Sequence, residues 1–325
     1  MREMTITKNA ADQRLDRFLQ KALPALPPAL AQKYIRLKRI KVDGKRTERG
    51  YRLCEGDTIQ FYISDEFFET IPDAGLYRTI THPNLTVCYE DDHILIVDKP
   101  PNLLCHSGTS PDEITLVDQV KAYLYRSGAW NPETEQSFTP ALCNRLDRNT
   151  GGLVISAKTA AAQRILNEKI RDGQVDKYYL LAVEGCPQAE SGRIEGQLIK
   201  DRKQNIVRTA DKNADDSVTA ITEYRTIETK GDLSLVECKL ITGRSHQIRV
   251  QMAGLGTPLL GDRKYGGGGD EPYQALWAYK IHFRFTTDAG ALAYLNDQEF
   301  YSADIPFAAK YFGKDGAFCH ASMIK

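Results

Sequence analysis

Residues 143–157 read CNRLDRNTGGLVISA, a polar turn that runs straight into an unbroken apolar segment. Asn149, Thr150, Gly151 and Gly152 supply turn chemistry, and Leu153 to Ala157 supply the apolar run of a buried strand. A carboxylate, Asp147, is thereby presented on a loop at the mouth of a sheet, between Arg145 and Arg148. The same letters RLDR recur at residues 14–17, within DQRLDRFLQKAL. There Leu15, Phe18, Leu19 and Leu23 repeat at helical spacing, and Pro24 to Pro28 end that helix and begin the next. Leu15 points inward while Arg14, Asp16 and Arg17 stay in water, so this copy is structural. For Asp147 the ordinary alternative is an aspartate that caps its own turn through its side chain. The local residues do not separate the two readings.

Working outward, LTVCYEDDHILIVDKP at 85–100 predicts a hairpin turning at Asp91-Asp92. LVDQVKAYLY at 116–125 predicts a helix, as does Ala160 to Arg171. Further strands are expected at Tyr178 to Val183, Thr219 to Tyr224 and Leu233 to Leu240. A short helix from Ser245 to Ala253 is stopped by Gly254 and Gly256. Strands are joined by turns and by helices in irregular order, which implies an α+β domain with a mixed, largely antiparallel sheet. The glycine run GGGGDEP at 266–272 has neither the strand nor the Lys-Ser/Thr that a phosphate-cradling loop needs.

The chain of 325 residues is long enough for about two domains. Its longest apolar runs are strand-sized, and its opening lacks the layout of a signal peptide, so no membrane association is expected. Seven scattered cysteines, mostly within apolar segments and never in CxxC pairs, are expected as reduced core thiols of a cytoplasmic protein. Six histidines show no metal-ligand spacing, and no metal is expected.

Basic and acidic side chains balance at 43 each, but not locally. Between Lys33 and Arg52 nine Lys or Arg face only Asp43 and Glu48, and SDEFFETIPDAG then turns acidic before Pro72 and Gly75. We therefore divide the chain into a small basic α/β module (1–63), a linker (64–84) and a larger body (85–325). In the module a second short helix carries Lys33, Arg36, Lys38 and Arg39, IKVDGK turns at Asp43-Gly44, and GDTIQFYI closes as a strand. Charge runs are usually solvated faces. Nine cations in twenty residues, however, repel one another until counter-charge is supplied, and a phosphate backbone supplies it. Lys33, Arg36, Lys38, Arg39, Lys41 and Lys45 are accordingly expected to bind RNA.

In the body, LITGRSHQIRVQMAGLGTPLLGDRKYG at 240–266 gathers Arg244, His246, Gln247 and Arg249 within six positions. At least one guanidinium there should point into a cleft. Tyr178 and Tyr179 lie on opposite sides of a strand, one as core filler and the other free to face that cleft.

The series YEDDHILIVDKPPNLLCHSG, NRLDRNTGGLVISAK, KYYLLAVEG and TGRSHQIRVQMAGLGTPLLGDRKYG, in that order, resembles the RluA-type family of RNA pseudouridine synthases over residues 85–283. Residues 13–63 resemble the αL-type RNA-binding domain found in a small-subunit ribosomal protein and several RNA-modifying enzymes. The resemblance implies that Asp147 is the catalytic aspartate, Tyr179 the tyrosine stacked on the target base and Arg249 the partner of the aspartate. It further implies that Arg145 helps to open the RNA where the uridine flips out; from their place in the 240–266 segment, Arg244 and His246 are expected as further RNA contacts. Asn144 and Gly151 stand where the family more often has His and Ser, and Gln251 where it more often has His. These departures touch the supports of the aspartate and bear on substrate choice more than on activity.

Pseudouridine formation breaks the bond from uracil nitrogen 1 to the sugar and rejoins the base through carbon 5, with no net redox change, so no cofactor is expected. A carboxylate that must stay ionised in a dry pocket needs a cation beside it. The expected substrate is large-subunit ribosomal RNA, with transfer RNA as the second choice; the oligomeric state is not legible. The competing classes are a non-catalytic RNA-binding or ribosome-assembly factor and a glycoside-type hydrolase. The latter normally needs two facing carboxylates, and no second acid lies near Asp147 in sequence.

Overall fold

In the computed structural model residues 1–69, 75–108, 112–201, 203–211 and 214–313 are described. In chain order the elements are β1 (Arg2–Thr5), α1 (Leu15–Ala22), α2 (Pro28–Arg36), β2 (Ile40–Val42), β3 (Thr58–Phe61), β4 (Thr86–Glu90) and β5 (Ile94–Lys99). They continue as α3 (Leu116–Arg126), β6 (Ala141–Leu142), β7 (Gly151–Ala157), α4 (Ala160–Arg171), β8 (Val175–Glu184), β9 (Ser191–Asp201) and β10 (Ile206–Ala210). The last are β11 (Val218–Lys230), β12 (Leu233–Leu240), α5 (Gln247–Gly254), β13 (Leu276–Phe283), β14 (Glu299–Tyr301) and α6 (Pro306–Phe312). None of the described helices is long and apolar enough to cross a membrane.

The chain forms two compact units. The first takes residues 1–83, 117–141 and 157–164; the second takes 84–116, 142–156 and 165–325.

In the first unit, β1, β3 and β2 form a three-stranded antiparallel sheet. Leu15, Phe18 and Leu19 of α1 and Ala31 and Ile35 of α2 bury against Ile40, Val42, Ile59 and Phe61. The hairpin turns as expected through Asp43 (φ 50°) and Gly44 (φ 72°), the two positive φ angles that a tight primed turn requires. α2 ends earlier than its charge pattern implied. Lys38 takes φ 61°, its amide bonds the Ile35 carbonyl, and the Arg39 amide reaches back to Tyr34, which closes a left-handed cap. Lys33 and Arg36 therefore ride on the helix, while Lys38 and Arg39 line the reversal into β2. Phe67 and Phe68 pack back on the same core. The segment around 131–137 is tied in as well: Gln136 accepts from the Thr7 amide (3.1 Å), Glu135 from Asn9 (2.9 Å), and Ser137 from Gln13 (2.7 Å).

The second unit is built on a long sheet of order β10-β9-β11-β12-β8-β13-β7-β5-β4, with β14 beside β13 and β6 beside β7. The pairs β10-β9, β9-β11, β11-β12, β12-β8, β8-β13, β13-β14 and β5-β4 are antiparallel, and β13 and β7 run parallel, so the mixed, largely antiparallel α+β architecture is as expected. Every residue of β7 is buried, which is why 151–157 reads as a continuous apolar run. The close approach of β7 to β13 depends on its glycines. A Cβ on Gly151 would lie 2.3 Å from the Trp277 ring, and one on Gly152 (φ 115°) would lie 2.3 Å from the Ala278 carbonyl oxygen.

The cysteines need a correction. Cys105 and Cys238 are buried, but Cys54, Cys88 and Cys186 are exposed and Cys143 is half-buried. Cys54 lies in a loop, Cys88 on the terminal strand β4 and Cys186 just past the end of β8, where apolar neighbours in sequence do not enclose a side chain. Cys319 lies outside the described residues.

Candidate active site

The turn that carries Asp147 is closed by its backbone: the Thr150 amide donates to the Asp147 carbonyl at 3.1 Å. Its carboxylate is thus not spent on capping. Asn144 fixes the loop to β7, accepting from the Ile155 amide (2.8 Å) and donating to the Leu153 carbonyl (3.2 Å). From below, the buried Lys99 ammonium at the end of β5 donates to the carbonyls of Pro100, Leu103 and Arg148, at 2.9, 2.9 and 3.0 Å. Burial pushes its pKa down to about 8, against the pull of nearby groups that include Asp147. Three carbonyls converging on one ammonium hold two loops to a single point.

Opposite the loop stands the start of α5. His246 precedes the helix in a left-handed conformation (φ 52°, ψ 17°), so the helix begins two residues later than expected. Gln247 and Gln251, four residues apart, both face β11. Gln247 donates to the Ile221 carbonyl (3.0 Å) and to Thr222 (2.8 Å), while Gln251 accepts from Thr222 (2.6 Å) and donates to Ala220 (3.1 Å). Arg249 leaves from another side of the helix and enters the site. Its Nη1 lies 3.5 Å from Asp147 Oδ2, whereas Nε and Nη2 bind both oxygens of Asp262 at 2.6 and 2.7 Å. Burial pulls the Arg249 pKa down, but the bond and charge of Asp262, joined by Asp147, outweigh it and raise the pKa.

His246 places Nε2 at 3.8 Å from the same Asp147 Oδ2 and Nδ1 at 2.6 Å from the Tyr265 hydroxyl. Burial takes its pKa down to about 4, only partly opposed by Asp147. At neutral pH the ring is therefore uncharged, and its contact with Asp147 is dipolar rather than an ion pair. Tyr265 is pinned by the Val207 amide at 3.0 Å, and its ring lies 4.9 Å from the Arg249 guanidinium carbon.

Asp147, His246 and Arg249 form a wall shared by two cavities. The larger, of about 870 Å³, is rimmed by Arg145, Arg148, Lys200, Lys203, Arg263 and Lys264. Tyr179 lines the smaller, of about 360 Å³, together with Lys177 and Arg244. Burial, and then the Asp147 charge, push the Tyr179 pKa up, which favours the protonated hydroxyl.

Of the residues singled out from sequence, Asp147, Arg249, Tyr179, Arg145, Arg244 and His246 line these two cavities. Arg145 and Arg244 are exposed, the latter with Nε on the Thr219 carbonyl at 3.0 Å. The His246 side chain is only 8% exposed and forms part of the wall between the cavities. Lys33, Arg36, Lys38, Arg39 and Lys45 are exposed in the first unit, and Lys41 lies over Tyr62 at 5.2 Å. The three departures are structurally accounted for: Asn144 and Gln251 hold loop and helix by hydrogen bonds, and Gly151 makes room for Trp277. Sequence reading missed Asp262, Tyr265, Lys99, Lys200 and Lys203. Asp262 and Tyr265 sit in the quoted GDRKYG, but spacing alone gave them no partner.

Residues 93–254 match the family model described as RNA pseudouridylate synthase, and residues 13–59 match the S4 domain. The ribosomal large subunit pseudouridine synthase C of Rickettsia bellii is 33% identical over 283 residues, covering 83% of this chain and 88% of that one. An uncharacterized RNA pseudouridine synthase of Mycoplasma capricolum is 32% identical, covering 92% and 96%. The ribosomal large subunit pseudouridine synthase D of Xanthomonas campestris is 31% identical, covering 82% and 75%. Among solved structures, human RNA pseudouridylate synthase domain containing 4 shares the fold at TM-score 0.56 and 18% identity, covering 73% of this chain and 94% of that one. The fold and the two matches define an enzyme of RNA, an isomerase joined to a small S4 domain. The chain belongs to the RNA pseudouridine synthase family.

Proposed function

We propose that this protein converts specific uridines of large-subunit ribosomal RNA to pseudouridine, with Asp147 as the catalytic carboxylate. The observation that carries this reading is the position of Asp147: in the wall between two cavities, with its carboxylate turned to Arg249 at 3.5 Å rather than to its own turn. In this reading Arg249 is the cationic partner of the carboxylate, and Tyr179 offers a stacking face worth on the order of 1–3 kcal/mol per base. Arg145 and Arg244 meet the opened strand, and Lys200, Lys203, Arg263 and Lys264 meet its phosphates.

Residues 1–63, with Lys33, Arg36, Lys38, Arg39, Lys41 and Lys45, act as the RNA-binding domain, 64–84 as the linker and 85–325 as the catalytic domain. The names of the relatives favour ribosomal over transfer RNA as substrate, and a cytoplasmic site of action follows from that choice. The isomerisation has no redox balance to settle and calls for no cofactor. The second carboxylate, Asp262, is bonded to Arg249 by both oxygens and is thus engaged by a guanidinium, which disfavours a glycosidase pair.

The test is the pair Asp147→Asn and Asp16→Asn. The first should fold and bind RNA but form no pseudouridine in a labelled ribosomal transcript. The second, in the matching RLDR, should leave product yield unchanged. Wild-type turnover in Asp147→Asn would remove that residue from the role.

A further inference from the structure

Two groups address the Asp147 carboxylate, Arg249 Nη1 and His246 Nε2, and both fall on Oδ2. Among the described residues none is bonded to Oδ1. The orientation of the imidazole follows from what holds it. Tyr265 accepts the Val207 amide at 3.0 Å and lies 2.6 Å from His246 Nδ1, so its own hydroxyl proton is directed to that nitrogen. A buried ring beside Arg249, Lys264 and Lys200 is uncharged and has one N–H to place. With Nδ1 accepting from Tyr265, that N–H is on Nε2 and faces Oδ2. The other tautomer would turn a nitrogen lone pair toward a carboxylate and leave the tyrosine proton unused.

We propose, resting on the reading of Asp147 given above, that His246 is a positioning residue. Tyr265 holds it as the Nε2–H tautomer; together with Arg249 it faces Oδ2, from 3.8 and 3.5 Å, and leaves Oδ1 as the oxygen presented to the nucleoside. Tyr265 thus supports both partners of Oδ2 at once, through its hydroxyl on His246 and its ring against Arg249. The Asp262 carboxylate, three residues earlier on the same loop, fixes the guanidinium from the far side.

The experiment uses the full chain. Nitrogen NMR of the imidazoles, with His246 identified among the six histidines by His246→Gln, reports the tautomer. Turnover is read on a large-subunit ribosomal transcript carrying tritium at carbon 5 of uridine, which formation of the carbon–carbon bond releases. The expected result is Nε2–H at pH 7 in the wild type. Tyr265→Phe should mix the tautomers and lower kcat by roughly tenfold while KM changes little. His246→Gln, which keeps an N–H donor, should retain more kcat than His246→Ala. A wild-type ring protonated on Nδ1, equal losses in the two His246 variants, or a tautomer change with kcat unmoved would overturn the proposal. Absence of tritium release from the wild type on any ribosomal or transfer RNA would instead strike the functional reading; the tautomer measurement would still decide whether Tyr265 orients His246.

Discussion

Arg249 gives its two shortest bonds, 2.6 and 2.7 Å, to Asp262 and reaches Asp147 only at 3.5 Å. The guanidinium is therefore anchored by one carboxylate and offered to another. An arginine held in this way keeps its place when the second carboxylate changes its bonding during a reaction.

Asp262→Asn tests that anchoring. The Asp262 side chain is 1% exposed and that of Arg249 8%, so removing the charge strands a buried cation, a change that typically costs about 3–5 kcal/mol. Thermal unfolding should show a lower Tm, and kcat on ribosomal RNA should fall further than RNA affinity does. A variant with wild-type Tm and kcat would show that Asp147 alone suffices to hold Arg249.

The buried ring of His246 should make stability sensitive to acid. Its folded pKa, about 4, lies below the ordinary 6.5, so between those values the unfolded chain binds a proton that the folded chain does not, and stability is lost as pH falls through that window. Asp98 acts in the opposite direction. Burial raises its pKa from 3.8 to about 6, and in that range acidification favours the folded state. The two effects oppose each other in the wild-type curve. Urea unfolding of His246→Gln at pH 7 and pH 5 should therefore reveal a variant that gains stability, relative to wild type, at the lower pH.

The basic face of the first unit is best tested by charge rather than by truncation, because residues 117–141 and 157–164 belong to the same compact unit as residues 1–83. Replacing Lys33, Arg36, Lys38 and Arg39 by glutamine should weaken RNA binding. The slope of log affinity against log salt should flatten by about 0.7–0.9 for each phosphate that is no longer neutralised. An unchanged slope would show that these side chains do not meet phosphates.

Gly151→Ser, toward the residue more often seen in the family, should destabilise the protein by about 1–3 kcal/mol or more, since its Cβ would lie 2.3 Å from the Trp277 ring. Trp277→Leu also loses the Trp277 Nε1 bond to Ser302 (2.8 Å) and should cost stability alone. Combined with Gly151→Ser it should cost less than the sum. Additive losses in this double-mutant cycle would mean that the two sites do not conflict.

Most of the elements were legible because their periodicity is strong: α4 and β12 fall at the residues expected, and β7 follows from the apolar run after the turn. Among the unread strands, β9 carries charges such as Arg193, Glu195 and Lys200 between its apolar residues, and β10 is only five residues long with Arg208 at its centre, so no apolar run announced them. In the site, Asp147 and Arg249 stand in quoted motifs, and their proximity follows once α5 faces the loop after β6. Asp262 was not legible as the anchor, because a lone Gly-Asp pair in sequence resembles any turn. His246 read as one more polar residue, since a left-handed backbone at a histidine and a ring withdrawn from water leave no trace in composition.

The first unit draws residues from three separated stretches of the chain, the last ending at residue 164. During synthesis its N-terminal core, Ile6 to Phe61, can gather as soon as it leaves the ribosome. Full closure must wait for the helix around Val117–Arg126 and the start of α4, many seconds of translation later at ordinary elongation rates. Until then the newborn module exposes the faces that those segments will cover, so the order of emergence makes its assembly depend on residues belonging to the middle of the protein.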